Sequence, residues 1–306
     1  MPLAPRGNKT LWISSGVFLF LGGLIIVIPA QTMPVALFLP ALYCIWAERW
    51  GRMNPFLISL VPGFLAVVPA FVQGVIPYVS LLLCGFIMRA MVKKGRVGLS
   101  VFIPACLLFS LFVIVLSLIA YAEGNTIYKI IQQWVGRMME QVYQVYTSIL
   151  SPGDLTTFKM QRPQLEEKIA RFSPALTLAG LTFSLWLNLI IVAATKKDLN
   201  LRTWKSPDWV VLLFIMSGLC TFVPLILVQA AGYNLLIMVS LVYFFQGLSI
   251  VAYYLDVRGW GTLLRWIIYL LILSQLYIMI IVALLGLFDT WFYFRNLIRK
   301  NKGELV

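Results

Sequence analysis

Long uncharged apolar runs alternate with short polar connections over most of the chain. The runs cover 11–30, 33–47, 55–73, 75–88, 98–122, 173–195, 209–229, 234–255 and 265–288. Several reach the roughly 20 residues that a helix needs to cross a bilayer's hydrocarbon core. The pattern predicts an all-α, polytopic transmembrane helix bundle of nine spans. The count falls to eight if two short segments dip partway in as a hairpin, and 33–47 and 75–88 are the short ones. Pro34 and Pro40 interrupt the second run, Pro62, Gly63 and Pro69 the third, and Pro77 the fourth. Such prolines are tolerated in a membrane where neighbouring groups satisfy the freed carbonyls. Breaks are expected at Gln31-Thr32, at Gly74, over 230–233 and over 256–264.

One hydrophilic insertion, 123–172, departs from this pattern. In its first half Ile127, Ile130, Ile131, Trp134, Val135, Met138, Val142, Val145, Tyr146 and Ile149 recur at helical spacing. Lys129, Gln133, Arg137, Glu140 and Gln144 fall opposite. This predicts an amphipathic helix. It either lies in the membrane interface or docks on the bundle. Ser151-Pro152-Gly153-Asp154 is expected to end it. Pro163 then opens a short helix over 164–171, and Ser173-Pro174 caps the next span. The chain divides into N-terminal membrane helices (1–122), an extracytoplasmic amphipathic insertion (123–172), and C-terminal membrane helices with a basic tail (173–306).

Composition sharpens the picture. The 306 residues are 61% hydrophobic and 11% charged, against about 25% charged in soluble domains. The net charge of +13 sits in clusters between apolar runs, as the positive-inside rule expects. With no basic soluble module, no nucleic-acid partner is expected. Fourteen basic residues fall on the inside segments if the N-terminus is cytoplasmic, against four in the tail. That orientation predicts a multi-pass protein of the bacterial cytoplasmic (inner) membrane. The basic start before 11–30 resembles a signal peptide, but Ile28-Pro29-Ala30 lacks a small-x-small site, so a retained first span is expected.

Candidate chemistry is sparse. There is no histidine, which excludes Ser-His-Asp, HExxH and haem-His sites. Cys44, Cys84, Cys106 and Cys220 lie in apolar runs without CxxC spacing and read as small apolar residues. No Walker A or GxGxxG sequence precedes a helix. No metal, no cofactor and no catalytic residue is expected, and the chain reads as not an enzyme. Intramembrane polar groups are then the functional markers. Asn188, Gln246 and Gln275 are amides inside spans. They either read a ligand's polar edge or bond between helices. Tyr243 shares an aromatic-rich stretch with Gln246 and Gly247. Asp256, Arg258 and Asp289 read as span-end charges facing water or headgroups. Trp12, Trp46, Trp50, Trp204, Trp209, Trp260, Trp266 and Trp291 read as interfacial anchors, and Trp186 as a packing residue. Ala66–Ala70 and Gly180–Ser184 are candidate close-contact pairs.

The segments 241–250 (LVYFFQGLSI) and 285–297 (LGLFDTWFYFRNL) carry a resemblance to the YybS-like uncharacterised bacterial membrane proteins. The run over 55–96, with LISLVPGFLAVVPAFVQG and LLLCGFIMRAMVKKGR, is similar to the S-components of energy-coupling-factor vitamin transporters. That second resemblance implies a membrane subunit that binds a solute. The functional expectation is therefore a solute-binding or transport component. Asn188, Tyr243, Gln246 and Gln275 are its candidate ligand contacts, with the lipid bilayer, a small-molecule solute and other membrane proteins as partners. The alternative is a non-catalytic membrane scaffold or envelope-biogenesis partner.

Overall fold

The computed structural model describes residues 8–48, 55–67, 72–149, 151–196 and 198–297. Every regular element among them is helical. They form two compact units. One takes its described residues from Met1–Leu108 and Leu181–Leu201, the other from Phe109–Gly180 and Arg202–Val306. Arg49, Trp50, Arg52, Pro69, Ala70, Lys197 and the basic tail beyond 297 lie outside the described residues.

The first unit opens with α1 (Asn8–Val27), α2 (Pro29–Ala36) and α3 (Leu39–Ala47). Helices α2 and α3 replace the predicted segment at 33–47 and meet at a 60° bend. The expected break at Gln31-Thr32 is helical instead. Its Thr32 N–H and hydroxyl both donate to the Ile28 carbonyl. The run 55–73 does not form a span. It becomes a five-residue α4 (Pro55–Ser59), a 3-10 stretch over Val61–Val67, and the start of α5 (Val72–Lys93). Pro62 and Gly63 fall in the 3-10 stretch, where a proline costs fewer helix bonds than in a long helix. Gly74 is no turn. It lies inside α5 where a methyl group would overlap the Ile26 carbonyl, so α1 and α5 touch backbone to backbone there. Trp46, expected at an interface, is buried. It stacks on Phe18 with centroids 4.5 Å apart, and its Nε1 donates to the Ser15 hydroxyl. Tyr43, Tyr78 and Leu82 complete this core.

The long α6 (Leu99–Ala122) matches the predicted span at 98–122. In the second unit α7 (Ile127–Tyr146) is the predicted amphipathic helix, capped by Thr126. It docks by Ile130 against Leu116 and Ala120 of α6. Val135 and Met139 pack with Ala170 of α8 (Pro152–Thr195). Helix α8 corrects two expectations. Ser151 starts it rather than ending α7, its hydroxyl accepting the Asp154 N–H. It then runs through both Pro163 and Pro174, so the short helix and the Ser173 cap do not form. Further on, the predicted span at 209–229 breaks early. Helix α9 (Val210–Thr221) stops before Pro224, and α10 (Ile226–Val257) continues through the expected turn. Gly232 is a packing glycine, in contact range of Cys220 and Ser217 of α9. The last run is also broken, into α11 (Thr262–Ser274) and α12 (Leu276–Phe292), bent by 105° at Gln275.

Among the described residues four helices are long and apolar enough to cross a membrane singly: Gln73–Lys93, Leu99–Ala122, Gly153–Thr195 and Ile226–Val257. Counting each bent pair as one span gives six. The described residues thus hold four to six candidate spans, fewer than the expected eight or nine, because the chain leaves the α-helix near Pro62 and Pro224. Large apolar side chains such as Leu118, Leu212, Leu270 and Ile281 stand exposed, a surface suited to lipid rather than water.

Candidate functional site

One buried polar joint in each unit links separate helices through a side-chain amide. In the first, Asn188 repairs the α2–α3 break. A regular helix would bond the Ala41 N–H to the Leu37 carbonyl. Here the Ala41 N–H donates to Asn188 Oδ1 at 2.9 Å, and Asn188 Nδ2 donates to the Leu37 carbonyl at 2.8 Å. A second Nδ2 bond reaches Ser184 on its own helix at 2.9 Å. One side-chain amide has been inserted into the ladder, a recognised cause of a sharp helix bend. Nearby, Glu48 follows α3 and receives Lys196 Nζ at 2.9 Å, with Arg89 Nε at 3.6 Å. Arg89 Nη2 also donates to the Ala47 carbonyl at 3.0 Å. Burial pushes the Glu48 carboxyl up. The Lys196 hydrogen bond and the charges of Lys196, Lys93 and Arg89 outweigh it and hold Glu48 below its ordinary value.

The second unit holds the larger network, built where α10 and α12 cross. Gly247 and Gly286 bring the two backbones together. A methyl group on Gly247 would overlap the Val282 carbonyl, and one on Gly286 the Tyr243 carbonyl. Such glycine contacts let membrane helices pack closely. Gly180–Ser184, the pair expected from sequence, does not act this way, since Gly180 faces open space. Beside the crossing, buried Gln246 donates to Asp289 Oδ2 at 3.1 Å. Its Oε1 accepts the Ser206 N–H at 3.1 Å and the Ser206 hydroxyl at 2.6 Å.

Asp289 is the main residue that sequence reasoning misplaced. It is no water-facing charge but 1% exposed. The chain doubles back over it after α12: Tyr293 takes a left-handed conformation (φ 49°), and the Phe294 N–H then donates to Asp289 Oδ1 at 2.9 Å. Arg295 Nη1 pairs with Asp289 Oδ2 at 2.9 Å. Arg295 also donates to the carbonyls of Arg202 and Trp204, at 3.2 and 2.8 Å, and to the Ser249 hydroxyl. Burial pushes the Arg295 guanidinium down, and the Asp289 charge opposes the shift. No sequence spacing announces this cluster, because Ser206, Gln246 and the Asp289–Arg295 segment come from three separate stretches brought together only by the fold.

The remaining predicted site residues take different places. Tyr243 lies one turn before Gln246 and meets Phe214 edge-on at 5.9 Å. Its buried hydroxyl faces Thr290, outside ordinary hydrogen-bond geometry. Gln275 is exposed and is the residue at which α12 begins. Its C=O accepts the Met279 N–H at 3.1 Å as the first bond of α12. Asp256 pairs with Arg202 and Arg265, and Arg258 lies over the Tyr254 ring. Outside these clusters, Arg162 joins Glu140 at 2.7 Å and Glu166 at 2.6 Å across α7 and α8. Its hydrogen bond holds Glu140 below its ordinary pKa. An open groove with Glu123, Gln133, Arg137 and Glu140 lies alongside. Among the described residues no group of three or more Cys, Asp or Glu has metal-binding geometry.

The arrangement is one of satisfied joints. Asn188, Asn234 and Gln246 all spend their amides on neighbouring backbone or side chains, and Gln275 alone of the four stands exposed at a break. The family model described as predicted membrane protein (DUF2232) matches residues 16–290. The chain belongs to that family. The match takes in Asn188, Gln246 and Asp289 and ends one residue beyond Asp289. No curated protein and no solved structure matches the chain. Family and fold agree on a membrane protein with several apolar helices.

Proposed function

We propose that the protein is a solute-binding or transport component of a membrane. The observation that carries this reading is the pair of broken apolar helices, α2–α3 bent by 60° and α11–α12 bent by 105°. Membrane helices interrupted within an apolar segment leave backbone groups that need a polar partner, and in transporters such breaks commonly form the solute site. Gln275 stands at the sharper break with its amide exposed. It is thus a better ligand contact than Asn188 or Gln246, whose bonding is filled from inside the protein. The resemblance of 55–96 to S-components supports the same reading. The excess of basic residues on the N-inside segments supports a bacterial cytoplasmic membrane with a cytoplasmic N-terminus, and the absence of histidine supports a non-catalytic role. The test is purification in mild detergent, mass spectrometry of co-extracted small molecules, and a thermal-shift panel of candidate solutes. A retained or stabilising solute whose effect drops at least about tenfold in Gln275→Leu, about 1.4 kcal/mol of binding, is the expected result. Protein that carries nothing and responds to nothing sinks the reading.

A second reading, a membrane scaffold or envelope-biogenesis partner, has its own observation. Helix α7 leaves Trp134, Met138 and Val145 exposed beside the charged Arg162 cluster. Crosslinking in intact cells followed by pull-down decides it. A reproducible protein partner that is lost in Trp134→Ala favours this reading, and the absence of any partner removes it.

A further inference from the structure

Asn188 and Asn234 make the same set of bonds at two places in the chain. Each Nδ2 donates to the carbonyl four residues back on its own helix, Ser184 at 2.9 Å and Ala230 at 2.8 Å. Each also donates to a carbonyl of a second segment, Leu37 at 2.8 Å and Arg171 at 3.2 Å. Each Oδ1 accepts the N–H four residues beyond that carbonyl, Ala41 at 2.9 Å and Ala175 at 3.0 Å. The clamped segments share a string, Phe-x-Pro-Ala-Leu, at 38–42 and 172–176. The two asparagines share Asn-Leu-x-Ile, at 188–191 and 234–237. Each clamp lies wholly inside one unit.

The backbone outcome differs between the copies. At Pro40 the string sits in the 60° break between α2 and α3. At Pro174 it lies inside the unbroken helix α8. The same string and the same amide bonds are therefore compatible with two backbone geometries. A packed element with two arrangements is the usual basis of a conformational switch.

We propose that α2–α3 is a two-position joint with Asn188 as its pivot. In one position the pair is bent, as seen; in the other it is one continuous helix, as α8 is at Pro174. The asparagine amide keeps the buried carbonyl and N–H satisfied in both, so the swing strands no buried polar group. The Pro40 ring opposes the continuous position, because inside a helix it clashes with the carbonyl four residues back. Pro40→Ala removes that opposition while leaving every Asn188 contact in place.

The test is a spin-label distance measurement on the full chain in lipid nanodiscs. Labels go at the exposed positions Gln31 and Lys94, on α2 and just beyond α5, the helix that packs on α3. Cys106 and Cys220 are replaced by serine, and the buried Cys44 and Cys84 are kept. Six rises from Gln31 to Leu37, at about 1.5 Å each and swung through 60°, displace Gln31 by about 9 Å. Pro40→Ala is expected to shift the main distance by several Å, or to raise a second population there. Asn188→Leu, which lets the Ala41 N–H return directly to Leu37, is expected to shift it the same way. Pro174→Ala, made in a segment that is already continuous, should leave the Gln31–Lys94 distance unchanged. A distribution that Pro40→Ala does not move overturns the proposal, even if Asn188→Leu fails to fold. The measurement reads helix geometry and no solute, so its failure and that of the solute reading are separable.

Discussion

Removing either member of the Asp289–Arg295 pair strands the other. Asp289 is buried and Arg295 nearly so, with side chains 2% and 15% exposed. Breaking such a pair by deleting one partner costs about 3–5 kcal/mol. Asp289→Asn and Arg295→Ala are each expected to lose stability of that order, read by denaturant titration in micelles. The double variant should lose clearly less than the sum, since the residues share one network. Glu48 supplies a pH test at the same scale. Its folded pKa lies below the ordinary value of 4.5, so its contribution is fully present above that value. As the pH falls through about 4.5 the unfolded chain takes up the proton first, and stability is lost until the folded pKa is passed. Glu48→Gln should flatten this acid limb of the unfolding midpoint, whereas an unchanged limb assigns acid sensitivity elsewhere.

Helices here are defined as much by what interrupts them as by what builds them. Pro224 ends α9, yet Pro163 and Pro174 pass through α8. Proline alone therefore did not locate the breaks. The shared Phe-x-Pro-Ala-Leu string and its Asn-Leu-x-Ile partner were visible in the sequence, but neither meant anything until the amide bonds linked them. The glycine crossing of α10 and α12 gives an element-scale prediction. A methyl group on Gly286 meets the Tyr243 carbonyl of the other helix, which cannot yield as a flexible side chain would. Gly286→Ala should destabilise by about 1–3 kcal/mol, the usual cost of overpacking. Gly180→Ala, made in open space, should be close to neutral in the same thermal unfolding assay.

For the whole molecule, the apolar α6 separates the basic stretch around Lys93, Lys94 and Arg96 from the α7–α8 insertion. If α6 crosses once, these lie on opposite faces of the membrane. With the N-terminus cytoplasmic, a single cysteine at Gln133 should react with an impermeant maleimide added to intact cells. One at Lys94 should react only after permeabilisation. The reverse pattern overturns the orientation, and equal labelling of both sites overturns the crossing.

The apolar runs, the amphipathic insertion and the membrane class were determined by sequence alone. Hydrophobicity acts locally: about 20 apolar residues must leave water whatever else the chain does. That is why 98–122 and the helix from Ile127 were placed correctly. Tertiary structure decided the span count, the breaks and the polar joints. The Asn188 bonds to Ala41 and Leu37 bridge 147 and 151 residues, and Gln246 reaches Asp289 across 43. An amide's value depends on the partner that geometry brings to it. At Asp289 a left-handed turn four residues on converts a span-end charge into a buried one, and no local pattern in the sequence signals that reversal.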